Sequence, residues 1–188
     1  MKHVGTKIIE TVRLTLRRLE PADAEMMFHH WTSDEKVTRF LRWDAHQTLD
    51  ETKGMIEQWV NRYQDDSTYY WGMYLQDGQM IGSIGVTITS EYDLQGALGY
   101  KIGSQWWNQG YASEAARAVI DYMFRYTDIE RIDSFCSIEN PASSKVMEKI
   151  GMKHEGILRH YYLTRDGFHD CTLYSIIRDE WKQKNNGD

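Results

Sequence analysis

Gln105-Trp106-Trp107-Asn108-Gln109-Gly110-Tyr111-Ala112-Ser113-Glu114 joins two segments of opposite character. Before it, Ala97-Leu98-Gly99-Tyr100-Lys101-Ile102 is a short apolar run with strand character. After it, Ala112 to Phe124 repeats its apolar residues at helical spacing. The order is strand, tight glycine-containing turn, helix start. The first N–H groups of a helix have no partner within it, and the helix dipole is positive at that end. Together they form a site for a phosphate.

Upstream, Val12, Leu14 and Leu16 alternate with Arg13, Thr15 and Arg17, which predicts a half-buried first strand. Pro21 suits a first helical turn, with Ala24, Met27, Phe28 and Trp31 on one face. Thr48 and Glu51 predict a capping box for a second helix that buries Met55, Ile56, Trp59 and Tyr63. Between them, Ser33 to His46 carries Phe40, Leu41 and Trp43, and is either a packed lid or part of an acceptor site. Tyr69 to Leu75 and Met80 to Ile88 flank an Asp77-Gly78 hairpin turn. Downstream of the long helix, Ile132, Ser134, Cys136 and Ile138 alternate as a strand. Asn140 then caps a helix with Pro141 in its first turn, Val146, Met147 and Ile150 inward, and Gly151 at its stop. A turn at Asp166-Gly167 separates the apolar stretches of the tail, where Leu173 to Ile177 precedes a short polar end. Helices between strands early and late, with a hairpin in the middle, give an α+β or mixed α/β class. The length fits one domain, 1–188.

Composition excludes several chemistries. A formal net charge of −6 argues against broad nucleic-acid binding and is compatible with a cationic acceptor such as an amine or basic peptide. No run has the length of a membrane span, and Met1-Lys2-His3-Val4-Gly5 lacks the apolar stretch of a secretory signal. Cys136 and Cys171 form no close pair, so reduced thiols and a cytoplasmic location are expected. Neither GxxxxGK[ST] nor GxGxxG occurs, and the histidines lack a metal-binding frame, so no metal is expected. Cys136 reads as packing rather than as a nucleophile.

Two segments carry a resemblance: Trp107 to Ala115, and Asn140-Pro141-Ala142-Ser143-Ser144-Lys145-Val146-Met147-Glu148-Lys149-Ile150-Gly151-Met152. Together they resemble the signature motifs of GNAT-type N-acetyltransferases, within the branch of the RimJ and RimL ribosomal-protein N-terminal acetyltransferases. Glu10 to Arg17, Pro21 to Ala24, Gly156 to Arg159, Asp166-Gly167, Asp170, Tyr174-Ser175 and Glu180-Trp181 extend the likeness over nearly the whole chain. It implies a GNAT-like central, mostly antiparallel twisted sheet, splayed at the acetyl-CoA site and flanked by helices.

The resemblance also implies roles. The strand through Tyr100, Lys101 and Ile102 would pair with the pantetheine arm of acetyl-CoA. The turn Trp107, Asn108, Gln109, Gly110, Tyr111, Ala112, with Ser113 continuing the helix start, would wrap the pyrophosphate. Gly110 is needed because a side chain there would block close approach. Asn140 would hydrogen-bond the pantetheine arm, and Lys145 would meet a CoA phosphate or simply be solvated. Three departures stand out. Trp107 and Asn108 replace the commoner residues of the turn, and Met147 stands where many members carry a general-acid tyrosine. Protonation of the departing thiolate then falls to Ser143, with Ser144 as fallback, to Tyr111, or to water. The frequent basic glutamate is replaced by Ala97, and the equivalent place on the next strand is Phe135. Glu91, Asp93 and Glu139 remain as base candidates, acting through one water. Tyr161, Tyr162 and Tyr174 are candidates for the acceptor side.

The expected function is acetyl transfer from acetyl-CoA to a primary amine, such as a protein N-terminus, by direct transfer in a ternary complex. The alternatives are acetylation of a small amine (a polyamine or aminoglycoside) and a non-catalytic acyl-CoA-binding regulator. The strand content leaves room for a homodimer.

Overall fold

Two short strands, β1 (Ile9–Glu10) and β2 (Leu14–Arg17), open the computed structural model, which describes residues 1–185. Leu14 and Leu16 are buried as their alternation predicts, but Val12 is 91% exposed. Thr11 and Leu14 bond each other through the Thr11 N–H and hydroxyl and the Leu14 N–H and carbonyl. Residues 12 and 13 therefore form the tip of a turn, outside the strand.

The next segment is helical in three successive geometries: a 3-10 turn at Pro21–Asp23, α1 (Ala24–Met27) and a π turn at Phe28–Thr32. Ala24, Met27 and Trp31 are buried, while the widening of the turn leaves Phe28 half-buried. α2 (Glu35–Thr38) and α3 (Leu49–Arg62) complete this layer. Thr48 Oγ1 accepts the Glu51 N–H as the expected cap. The Glu51 carboxylate, however, takes the N–H of Gln47 rather than closing a box on Thr48. Ile56 and Tyr63 are buried below α3, with Met55 and Trp59 packed at the margin.

β3 (Tyr69–Leu75), β4 (Met80–Ser90) and β5 (Gln95–Ile102) form an antiparallel meander. After a 3-10 turn at Ser104–Trp106, α4 (Tyr111–Tyr126) crosses over to β6 (Arg131–Ser137), so β5 and β6 pair in parallel. β6 ends at Ser137, whose carbonyl accepts the Asn140 N–H, and Ile138 is consequently 51% exposed rather than facing the core. α5 (Pro141–Lys149) follows, capped by Asn140 and stopped at left-handed Gly151 (φ +86°). The apolar stretches of the tail are a long hairpin, β7 (Lys153–Thr164) and β8 (Gly167–Ile177), and the polar end is α6 (Arg178–Asn185).

One eight-stranded sheet results, in the order β1-β2-β3-β4-β5-β6-β8-β7, antiparallel at every step but β5–β6. A large core lies between one face and α4 and α5, and includes Leu98, Ile102, Ile132, Cys136, Val119, Met123 and Met147. A smaller core of Leu19, Met27, Trp31, Ile56, Tyr70 and Tyr74 packs α1 and α3 on the other face of β2 to β4. Between β5 and β6 the register holds only for Gln95↔Arg131, Gly96↔Ile132 and Ala97↔Asp133. Beyond Ala97 the two strands diverge and open a wedge in the middle of the sheet. No helix among the described residues is long and apolar enough to cross a membrane.

Candidate active site

The wide end of the wedge is closed by the turn between β5 and α4. Asn108 (φ +59°) and Gly110 (φ +84°) both take left-handed backbone, which folds the chain sharply before the helix. The first recorded helical bond is Glu114 N–H to the Gly110 carbonyl. Among the described residues, the N–H groups from Asn108 to Ser113 meet no acceptor in the chain and converge at the positive end of a 16-residue helix. The Trp107 indole donates to the Ile102 carbonyl at 2.8 Å, so this departure from the family pattern stitches the turn to its strand. Arg13 braces the turn from outside, donating to Glu114 Oε2 (2.7 Å) and the Gln109 carbonyl (3.0 Å), with its guanidinium 4.4 Å from the Tyr111 ring centre. Nothing in the local sequence announced Arg13, which lies about a hundred positions away along the chain.

Along the wedge, alternation gives each β5 residue a distinct assignment. The Leu98 carbonyl takes the Ser134 hydroxyl at 3.0 Å and the Ile102 carbonyl takes Trp107, so Leu98, Tyr100 and Ile102 turn their main chain toward β6. The main-chain groups of Tyr100 are then the ones left to pair with an extended ligand. Lys101 differs: its carbonyl lies against Gly82 of β4, and its ammonium is 5.8 Å from the Tyr70 ring centre on the other face. On the α5 side, the Tyr100 hydroxyl lies 2.8 Å from Ser143 Oγ and 3.1 Å from the Ser143 carbonyl, spanning the wedge. Burial pushes the Tyr100 phenol well above its usual range, although Ser143 pulls the other way. Asn140 Oδ1 caps α5 through the Ser143 N–H, which leaves its amide nitrogen for a ligand. Ser144 Oγ is 3.2 Å from the Cys136 thiol, and Lys145 is exposed on α5.

The opposite face of the wedge carries Ala97, Gly99, Asp133 and Phe135. A Cβ added at Gly99 would meet nothing within 4 Å, so this side is open. Phe135 packs on Tyr161 and Tyr162 (ring centres 5.0 and 5.3 Å), and Arg42 lies over the Tyr162 ring. Arg165, at the β7–β8 turn, pairs with Asp44 at 3.1 Å. The connection after α2 therefore meets the hairpin, and a cavity of about 770 Å³ lies there between Glu35, Asp44, Ala45, His46, Gln47, Glu51 and Arg165. Tyr174 belongs to the other face: it is buried in the large core and its hydroxyl donates to Glu148. Glu91 lies beyond the closed end of the wedge, held by the Met1 amine (3.2 Å) and His3 (2.8 Å). Asp93 accepts the Ser90 hydroxyl in the same turn, and Glu139 is exposed after β6.

A wedge in a sheet, with a turn of unpaired N–H groups suited to an anion on one side and an open face on the other, has the form of a transferase site with separate approaches for donor and acceptor. The Acetyltransferase (GNAT) domain family model matches residues 13–153, and the chain belongs to that family. The uncharacterized N-acetyltransferase YoaA of Bacillus subtilis is 31% identical over 172 residues, 91% of this chain and 97% of that protein. The ribosomal-protein-serine acetyltransferase of Escherichia coli is 26% identical, covering 74% of this chain and 78% of its own length. The structure of the ribosomal L7/L12 acetyltransferase RimL in complex with coenzyme A superposes with a TM-score of 0.83 at 20% identity, over 93% of this chain and 99% of RimL. The chain is an acetyl-CoA-dependent acyltransferase with RimJ/RimL-like relatives. Its own residues fit the donor: free N–H groups at the turn suit the pyrophosphate, and the unpaired main chain of Tyr100 suits an amide-bearing arm.

Proposed function

We propose that this acetyltransferase acts on a protein N-terminal α-amine, by direct transfer in a ternary complex. The observation that carries this reading is the open space above Gly99 at the root of the wedge. An acceptor reaches the thioester there from the face opposite α4 and α5, without displacing the donor. The trough it enters is walled by the Arg42–Tyr162 contact and by the Phe135–Tyr161 pair, a shape suited to an extended chain end. The cavity at the β7–β8 turn is lined by Glu35, Asp44 and Glu51 together with Arg165, which pairs with Asp44, and the carboxylates of Glu35 and Glu51 favour a cationic acceptor. The acceptor named for the Escherichia coli relative, a ribosomal-protein serine, supports the same reading.

The state of the thiols supports direct transfer. Cys136 and Cys171 are both buried, and burial pushes Cys136 up and Cys171 up to about 11. Neither is a thiolate at neutral pH, so neither is equipped to carry the acetyl group. On the leaving-group side, Ser143 Oγ lies 2.8 Å from the Tyr100 hydroxyl, and in the arrangement where the phenol is the donor the serine hydrogen is free to point at the departing sulfur. Backbone N–H groups along the wedge polarise the carbonyl.

Release of CoA thiol is measured with peptides beginning in serine or alanine, with spermidine and with an aminoglycoside. Peptides turned over with the higher kcat/KM support the proposal. A preference for spermidine or the aminoglycoside would replace the peptide by a small amine, and no release above hydrolysis with any acceptor would leave a binding protein.

A further inference from the structure

Ala97 stands where a basic glutamate is common, yet a carboxylate reaches the same place from the neighbouring strand. Asp133 is the last β6 residue in register with β5, directly opposite Ala97, where the wedge begins. Adjacent strands lie about 4.8 Å apart, so Asp133 sits one strand spacing from the root. Ile132 and Cys136 point into the core under α4 and α5, which by alternation turns Asp133 to the open face with Gly99 and Phe135.

The carboxylate is held at one end. Oδ1 is shielded from solvent and lies 2.7 Å from Arg131 Nε, whereas the side chain as a whole is 25% exposed. Its accessible oxygen is therefore Oδ2. Arg131 is also paired with Glu155 of β7 at 3.1 Å, and Glu155 accepts the Ser175 hydroxyl of β8. Gln95 and Ala97 of β5 bring no charge. Burial, the largest influence, raises the Asp133 carboxyl above its usual range, opposed by Arg131 and reinforced by Glu155. It is thus a better proton acceptor than an ordinary aspartate.

We propose that Asp133 is the carboxylate that meets the acceptor's ammonium at the root of the wedge and takes its proton through one water at Oδ2. The inference rests on the reading above that the acceptor enters across the open face. The ammonium gives one proton to the water, which passes one to Oδ2. The freed nitrogen lone pair forms the C–N bond to the acetyl carbon as the C–S bond breaks. The nitrogen's second proton leaves to the sulfur by way of the Ser143 hydroxyl, and Asp133 returns its proton to solvent. The products are the amide, the CoA thiol and one proton.

The test compares wild type, Asp133→Asn and Asp133→Glu, using the serine and alanine peptides, spermidine, and hydroxylamine, which is already uncharged at neutral pH. With the ammonium acceptors, Asp133→Asn is expected to lower kcat/KM by about 100-fold at pH 7, as for loss of a general base, with acetyl-CoA affinity within about twofold. The deficit narrows as pH rises and free amine becomes available, while hydroxylamine reacts equally with both proteins. Asp133→Glu retains the wild-type pH profile at a reduced rate, and carries the comparison if the Asn variant fails to bind acetyl-CoA. Unchanged kcat/KM with an unchanged pH profile overturns the proposal, as does an equal loss with hydroxylamine. Wild type that accepts hydroxylamine but none of the ammonium acceptors overturns both this role and the acceptor reading on which it rests.

Discussion

Tyr100 and Ser143 come from different sides of the wedge, and their hydroxyl oxygens lie 2.8 Å apart. Met147, where many relatives carry a tyrosine, is buried in the core under α5. A phenol nevertheless reaches the first turn of α5 from β5. If the two hydroxyls act as one unit, their deletions do not add. Tyr100→Phe and Ser143→Ala are each expected to lower kcat about 100-fold, the lower end of the range for loss of a positioned acid. The double variant should fall no further than the worse single one, and acetyl-CoA affinity should hold. Steady-state kinetics with titration calorimetry check this; independent, multiplicative losses would separate the two residues.

The anion turn depends on Gly110, whose φ of +84° strains any other residue and whose Cβ would sit 3.4 Å from Arg13 Nη2. Gly110→Ala should cost about 1 kcal/mol in stability, the left-handed penalty, and weaken acetyl-CoA moderately. Gly110→Trp should abolish acetyl-CoA binding while circular dichroism still reports the fold. Normal affinity in the tryptophan variant would remove the phosphate assignment from this turn.

Much of this was legible in the chain and some was not, for physical reasons. The turn at Gly110, the cap at Asn140 and the strands flanking Asp77-Gly78 are encoded by residues within a few positions of one another, so local spacing reveals them. Val12 and Ile138 continue an alternating pattern, but a turn at Thr11 and another at Ser137 end their strands first. Tyr100 shares its face with buried Leu98 and Ile102, and an inward tyrosine calls for a hydroxyl partner; its distance from Ser143 in sequence hid which one. Glu91, the sequence candidate for the base, is adjacent to the right strands but lies past the closed end of the wedge, bound to the amino terminus. Only the β5–β6 register brought Asp133 to the root.

Glu114 links the anion turn to the amino-terminal strands through the Thr11 hydroxyl, the Arg13 N–H and the Arg13 guanidinium. Burial alone would raise its carboxyl, but these donors and the Arg13 charge outweigh burial and hold it below the ordinary value of 4.5. A depressed carboxylate contributes stability that is complete above its unfolded value and is lost as pH falls through its lower folded value. The melting-temperature gap between wild type and Glu114→Gln should therefore be constant near neutrality and shrink as pH drops below about 4.5. Thermal melts across that range check it, and a gap that widens in acid would contradict the sign.

Asp23 is nearly inaccessible and receives both ends of the Arg17 guanidinium, at 2.7 and 3.0 Å, while also accepting the Glu20 N–H. Arg17 in turn lies over the Tyr74 ring. Removing one partner of such a pair leaves a desolvated charge, which costs about 3 kcal/mol. Asp23→Ala should lower stability by roughly that amount in urea unfolding. Acetyl-CoA affinity should change little, because the pair anchors α1 and lies outside the wedge.

Direct transfer and transfer through a cysteine differ in what the thiols must do. A carrier cysteine has to be a nucleophile at neutral pH, exposed to the thioester and chemically required. Cys171 is fully buried and pushed up to about 11, and Cys136 is raised by burial and faces Ser144 under α5. Cys136→Ala combined with Cys171→Ala is therefore expected to retain kcat within about threefold, with any loss traceable to two small cavities in the core. Initial-rate plots against both substrates should intersect in wild type and in the double variant alike. Parallel lines in the wild type together with an inactive double variant would instead place an acetyl-cysteine on the path.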